Sequence, residues 1–149
     1  MKFAVESINH VCVVVKDIAA ARQFYCGTLG LRPHHKVASW LILNNESTLH
    51  LVHIPEAEVD NSLYHEIQHF ALQVPSLKAV LQELLEVNAE VFQMDFEGAE
   101  RAVRSVDDPL AFGLGSIFTR DPDGNLMEFV QIGHGLFKDQ YTVNQAAAS

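Results

Sequence analysis

The chain is short of basic residues, of cysteine and of long apolar runs, and each shortage excludes something. Ten lysines and arginines stand against 19 acids, a net charge of -9. That balance argues against nucleic acid or an anionic membrane surface as the main partner. The two cysteines, Cys12 and Cys26, form no CxxC pair and no disulfide framework, so a reduced, cytoplasmic setting is the expectation. Apolar residues make up 48% of the chain but occur in runs of only a few, too short for the roughly 20 residues of a membrane-spanning helix. Glu6 interrupts the apolar start, which predicts no secretory leader. With 149 residues the sequence reads as one domain with a sizeable core. What is plentiful is histidine, eight in all, the side chain most often offered to a transition metal.

The apolar pattern runs through one order of elements twice. Residues 8–15 are β-branched and continuous, a strand. Asp17 then caps a helix bearing Ile18, Ala21, Phe24, Tyr25 and Leu29, with Gly30 as its stop. Strand-like runs follow at 31–37, 39–44 and 47–54, the last two joined by a turn at Asn44-Asn45-Glu46. Residues 67–74 restart the order as a strand, and Ser76 opens a helix with Leu77, Val80, Leu81, Leu84 and Leu85 on one face. A strand from Val91 to Met94, a charged and irregular segment at 95–111, and strands at 115–120 and 126–132 complete the second copy. Asp121-Pro122-Asp123-Gly124 between them suits a type I turn.

A shift of 59 places Ile8 on Ile67, His10 on His69 and Val15 on Val74, and a shift of 78 places Leu49 on Met127, His50 on Glu128 and Val52 on Val130. Each half therefore reads β-α-β-β-β, the second with about nineteen extra residues before its last strand. The expected layout is α+β: a single domain over 1–149, with module 1 at 5–54, a connector at 55–66, module 2 at 67–132 and a tail at 133–149. The matched polar positions are His10, His50, His69 and Glu128. A lone histidine in an apolar strand is more often a hydrogen-bonded core residue than a ligand. Four such residues at equivalent repeat positions favour a divalent first-row metal, Fe, Mn, Ni, Zn or Co, one ion per site.

The string His10 to Val15 and Asp17, then Phe24-Tyr25, Leu29-Gly30-Leu31, His69-Phe70-Ala71 and Asp121-Pro122-Asp123-Gly124-Asn125-Leu126-Met127-Glu128, resembles the vicinal oxygen chelate superfamily. That group includes glyoxalase I, extradiol dioxygenases, methylmalonyl-CoA epimerase, fosfomycin-modifying enzymes and bleomycin-binding proteins. The resemblance covers residues 5 to about 132. It implies tandem βαβββ modules folding into an open, half-barrel mixed sheet around a metal, with helices outside. It also implies a homodimer whose cavity is often completed across two subunits. His10, His69 and Glu128 fall on the ligand positions shared most widely in the superfamily. His50 falls on a variable one: Glu in bacterial glyoxalase I, Gln in the epimerases, and generally not a ligand in the dioxygenases. Three protein ligands leave an octahedral ion room for two substrate oxygens and O2. With His50 bound, two adjacent positions remain, enough to chelate vicinal oxygens.

The resemblance therefore implies a metal-dependent lyase or isomerase acting by proton transfer on a small organic substrate, with Glu128 as general base. The alternatives are an Fe(II) extradiol-type dioxygenase, if His50 stays off the metal, and a sequestering protein like the bleomycin resistance members. Those members have generally lost the ligands that this chain keeps. The glutathione-binding arginine of glyoxalase I has no counterpart in Val13-Val14-Val15. Arg120, near the last strands, is the cation for an anionic part of the substrate. The remaining features favour plainer readings: His34-His35 as solvated surface on opposite strand faces, His53 as a non-ligand, His65 and Tyr64 as connector surface, His134 as loop. Arg101 and Arg104 read as a polar loop, Cys12 as a small buried thiol, and the tail as without chemistry.

Overall fold

A computed structural model describes residues 8–43, 47–58, 68–95, 97–110, 115–131 and 133. The turn expected at Asn44-Asn45-Glu46, and Tyr64, His65, Ile67, His134 and the tail beyond, lie outside them. The chain divides into two compact units, residues 1–60 with 121–125 and residues 61–120 with 126–149.

In the first unit, strand β1 (His10–Val15) is followed by helix α1 (Ile18–Arg22), which widens into a π-helical segment at Gln23–Thr28. Asp17 caps α1, its Oδ1 accepting from the backbone N–H groups of Ala19 and Ala20 at 2.9 and 3.0 Å. These are among the donors that a helix start leaves unpaired. The Leu29 N–H reaches back to the Phe24 carbonyl at 2.9 Å, and Gly30, at φ +72°, turns the chain out of the helix. Strands β2 (Arg32–Pro33), β3 (Trp40–Ile42) and β4 (Thr48–His53) complete a four-stranded sheet in the order β1-β4-β3-β2. The run at 31–37 is thus strand over only two residues. The His34 N–H still reaches the Trp40 carbonyl at 2.7 Å, but the Trp40 N–H turns to the Val37 carbonyl at 3.0 Å, which ends the ladder. Beyond Pro33 the His34 and His35 rings lie side by side, centroids 4.4 Å apart, so these residues do not alternate across a strand as expected.

The sheet has two different faces. Val13, Val15, Leu41, Leu49 and Leu51 are buried together with Ala21, Phe24 and Tyr25 of the helical segment. The alternate positions follow from the pairing. Cys12 stands opposite His50 on the parallel β1–β4 pair, and Trp40 stands opposite His50 on the antiparallel β3–β4 pair. His10, Cys12, His50 and Trp40 therefore share the face that the apolar side chains leave.

The second unit repeats the plan. Strand β5 (Phe70–Val74) leads to helix α2 (Leu77–Glu86), capped by Ser76, whose Oγ accepts from the Ala79 N–H at 3.2 Å. Leu77, Leu81 and Leu84 are the buried stripe of α2, and Asn88 leaves it in the left-handed region at φ 55°. Strands β6 (Val91–Met94), β7 (Glu100–Ala102), β8 (Ser116–Arg120) and β9 (Leu126–Gln131) form with β5 a five-stranded sheet in the order β5-β9-β8-β6-β7. The two offsets recur in the ladders. Cys12 faces His50 as Ala71 faces Glu128, and Trp40 faces His50 as Phe118 faces Glu128. Because Trp40 and Phe118 also differ by 78, the extra residues enter ahead of β8. They include β7, a hairpin partner of β6. Asp95 folds the hairpin turn by accepting from the Glu97 and Ala99 N–H groups.

The fold class is the α+β class expected: open mixed sheets of tandem βαβββ modules, with two α-helices among the described residues. None of the described helices is long and apolar enough to cross a membrane, which says nothing of membrane-crossing strands.

Candidate metal centre

The first unit contributes His10, at the start of β1, and His50, in the middle of β4. The Nδ1 of His10 lies 2.9 Å from the Oδ1 of Asn9. An amide oxygen only accepts, so Nδ1 carries the proton and the Nε2 lone pair stays available. The Nδ1 of His50 lies 3.7 Å from the Sγ of Cys12, a thiol that can donate or accept. Cys12 is exposed. It is not the buried thiol expected from its apolar neighbours, because strand parity puts it on the histidine face. Trp40 packs against both imidazoles. Its ring is stacked on His50, with centroids 4.6 Å apart and planes 21° apart, and tilted against His10 at 4.9 Å and 51°. His53 has left this face, and its Nε2 meets the Lys16 carbonyl oxygen at 3.1 Å.

The second unit contributes His69, just before β5, and Glu128 on β9. The Nε2 of His69 lies 3.1 Å from the Oε2 of Glu128, with the side chains 27% and 12% exposed. Phe118 sets its ring edge-on to the His69 imidazole at 5.2 Å, the counterpart of Trp40 against His10. Phe118 also belongs to a buried cluster with Phe92 and Leu126, against which Met94 packs. Arg120 lies over the Phe92 ring, its Cζ 5.5 Å from the centroid, with its Nε 3.8 Å from the Oε2 of Glu90. Arg101, on β7, and Arg104 are exposed.

Each unit thus holds two of the four positions: His69 and Glu128 touch each other in the second, and His10 and His50 both lie against Trp40 in the first. Among the described residues, no group of three or more His, Cys, Asp or Glu side chains lies close enough to hold a metal. The donor chemistry nonetheless fits one. Two neighbouring donors about 2.1 Å from an octahedral ion are about 3 Å apart, and the His69–Glu128 separation is 3.1 Å. At His10 the Asn9 side chain accepts from Nδ1–H, the kind of outer contact that orients metal-binding histidines.

The Asp-Pro-Asp-Gly-Asn turn has a structural task that its turn propensity did not reveal. Asp121 is buried and accepts four hydrogen bonds. Its Oδ1 takes the Asp123 and Asn125 N–H groups, and its Oδ2 takes the Asn125 Nδ2–H and the Tyr25 hydroxyl. Asn125 also donates to the Val14 carbonyl oxygen at 2.8 Å. All of these lie within the first unit. Burial raises the Tyr25 pKa well above the ordinary 10.0, and the Asp121 carboxylate raises it further. The turn geometry is as expected, with the Gly124 N–H on the Asp121 carbonyl oxygen at 2.9 Å and Gly124 at φ +94°.

Residues 7–129 match the family model of the Glyoxalase/Bleomycin resistance protein/Dioxygenase superfamily. The chain belongs to that superfamily. Among curated proteins, none matches. Solved structures with the same fold include the trypanothione-dependent glyoxalase I of Leishmania major. It has 16% identity and a TM-score of 0.60, over 96% of this chain and 95% of that one. The oxidase ChaP-H2 has 17% identity and a TM-score of 0.62, over 85% and 93% of the two chains. The antibiotic-binding protein TnmS3 from Streptomyces sp. CB03234 has 19% identity and a TM-score of 0.55, over 87% and 98%. At these identities the likeness is one of fold. A glyoxalase, an oxidase and a binding protein on one architecture leave function to the site.

Three site neighbours escaped the sequence reading: Asn9, Trp40 and Phe118. Phe118 and Trp40 had a signal, since the offset of 78 that links His50 to Glu128 also links them. Asn9 had none beyond its place next to His10.

Proposed function

We propose that this superfamily member is a divalent-metal-dependent enzyme that chelates a small organic substrate through two neighbouring oxygens and moves a proton on it, in the manner of glyoxalase-like lyases and isomerases. The donors are His10 and His50 of the first unit and His69 and Glu128 of the second, drawn from one chain or from two chains of a homodimer. The observation that carries this reading is the His69 Nε2–Glu128 Oε2 approach of 3.1 Å. It is a donor pair at ligand spacing, on strands whose register repeats that of the His50 strand. A cation would take the place of the hydrogen bond between these two atoms, bound by the carboxylate and by an imidazole whose proton sits on Nδ1.

A bound divalent ion supplies Lewis-acid polarisation of the substrate oxygens. The protein's own part is to hold and move the proton. Glu128 is the carboxylate of the donor set, partly screened from water beside an imidazole, and it acts as general base toward the substrate carbon. Arg120, steadied on the Phe92 ring, meets an anionic portion of the substrate. His10, His50, His69 and Glu128 would hold the ion, and it would bind the two substrate oxygens.

The test is metal analysis and titration calorimetry on the purified protein and on His10→Ala and Glu128→Ala. Wild type is expected to hold about one divalent ion per site and both variants to lose it. Full occupancy in both variants would refute the reading. Oxygen uptake with a catechol on the Fe(II)-loaded protein would replace it with the dioxygenase.

A further inference from the structure

Trp40 is the chain's one tryptophan, and it stands where the β3–β4 ladder sets it directly opposite His50. Its indole has His50 stacked at 4.6 Å and 21°, and His10 tilted against it at 4.9 Å and 51°. Cys12 flanks His50 from the other side of β4, at its Nδ1, and Asn9 holds the Nδ1 of His10. Each imidazole is therefore restrained twice, by a polar partner on Nδ1 and by the same indole against its ring. An imidazole has two side-chain torsions, and both must be set before Nε2 can serve as a donor. A ring already confined gives up less freedom on binding. The second unit builds the same relation more weakly, with Phe118 edge-on to His69 at 5.2 Å, and there the carboxylate of Glu128 supplies the restraint directly.

We infer that Trp40 is a positioning residue, an indole wedge that pre-orients both unit 1 imidazoles so that their Nε2 atoms are ready to bind a divalent ion. The inference rests on the reading that His10 and His50 are donors. It assigns the indole no contact with the reacting atoms. Trp40→Leu removes the aromatic wedge and keeps an apolar side chain of strand-compatible size. Trp40→Phe keeps a ring that can stack.

The experiment measures Zn(II) affinity by competition with a chromophoric chelator for wild type, Trp40→Leu and Trp40→Phe. The imidazole proton spectra of the three metal-free proteins are recorded beside it. Urea midpoints and circular dichroism confirm that each variant is folded. Loss of an orienting contact around a metal ligand costs about 10–100-fold in affinity. Trp40→Leu is thus expected to bind Zn(II) at least about 10-fold more weakly, and Trp40→Phe to recover most of the loss. The His10 and His50 ring protons are expected to lose their ring-current shifts in the leucine variant alone. Wild-type affinity in a folded Trp40→Leu protein, or equal losses in both variants, would overturn the inference. Should wild type itself bind no Zn(II), the metal reading fails. The inference then fails with it, whereas Zn(II) binding by wild type with unaltered affinity in a folded Trp40→Leu protein overturns the inference alone.

Discussion

Tyr25→Phe removes one oxygen from a buried position and leaves the shape of the core intact. The hydroxyl donates to Asp121 Oδ2 at 2.9 Å, with Tyr25 0% and Asp121 4% exposed. A hydrogen bond to a charged group contributes about 1.5–3 kcal/mol. Asp121 Oδ2 keeps its bond from Asn125 Nδ2 at 2.8 Å, so the carboxylate is weakened rather than orphaned, and about 2 kcal/mol is the expected loss. For a chain of this size that corresponds to a fall in Tm of about 4–8 °C. Urea unfolding at pH 7 should show a lower midpoint with an unchanged slope, since no extra surface is exposed. The pH dependence adds a second signature. An unfolded tyrosine ionises near its ordinary pKa of 10.0, whereas the buried Tyr25 holds its proton to higher pH. Its stabilisation is complete below pH 10 and is lost as pH rises through the raised pKa, because only the unfolded state gains by ionising there. Phenylalanine has no such ionisation, so the gap between wild type and variant must narrow above pH 10. A loss below about 0.5 kcal/mol at pH 7 would refute the argument that Tyr25 locks the Asp-Pro-Asp-Gly-Asn turn. A gap that stays constant across pH 10 would refute the burial argument.

Ser76→Ala should lower stability by about 1 kcal/mol in the same assay, because the Ala79 N–H at the start of α2 loses its Oγ acceptor at 3.2 Å; no change would show that water replaces the cap without cost. In the native protein a thiol reagent should label Cys12 before Cys26. Cys12 is exposed and Cys26 is half-buried, with a pKa raised by burial against a smaller lowering by Arg22, and mass mapping that finds Cys26 labelled first would contradict the strand parity.

Much of the fold was legible because strand parity and helix spacing are local. The β-branched run at 8–15 and the Leu77, Leu81 and Leu84 stripe each bury where their periods point. Asp17 and Ser76 cap the helices that follow them. Cys12 was misread for a related reason. Cys12 shares strand parity with His10 in the sequence itself, but in a continuous apolar run nothing in the residue types says which parity faces the helix, and only the burial of Val13 and Val15 shows that the His10–Cys12 face is the open one. The His34-His35 pair does not alternate across a strand because the ladder ends where the Trp40 N–H turns to the Val37 carbonyl, a local turn that the residue types did not announce.

The sequence by itself determined the repeat, and with it the candidate donors. Offsets of 59 and 78 are properties of residue order, and they single out three of eight histidines and one glutamate among many acids without any coordinate. Tertiary structure decided what each donor touches: Glu128 on His69, Cys12 and Asn9 on the ring nitrogens of His50 and His10, Trp40 against both of those imidazoles, and, beside the donors, Tyr25 on Asp121. These contacts join residues up to 96 positions apart. Ladder register and side-chain packing create them, and a one-dimensional pattern carries the period of a strand but not the identity of its neighbour.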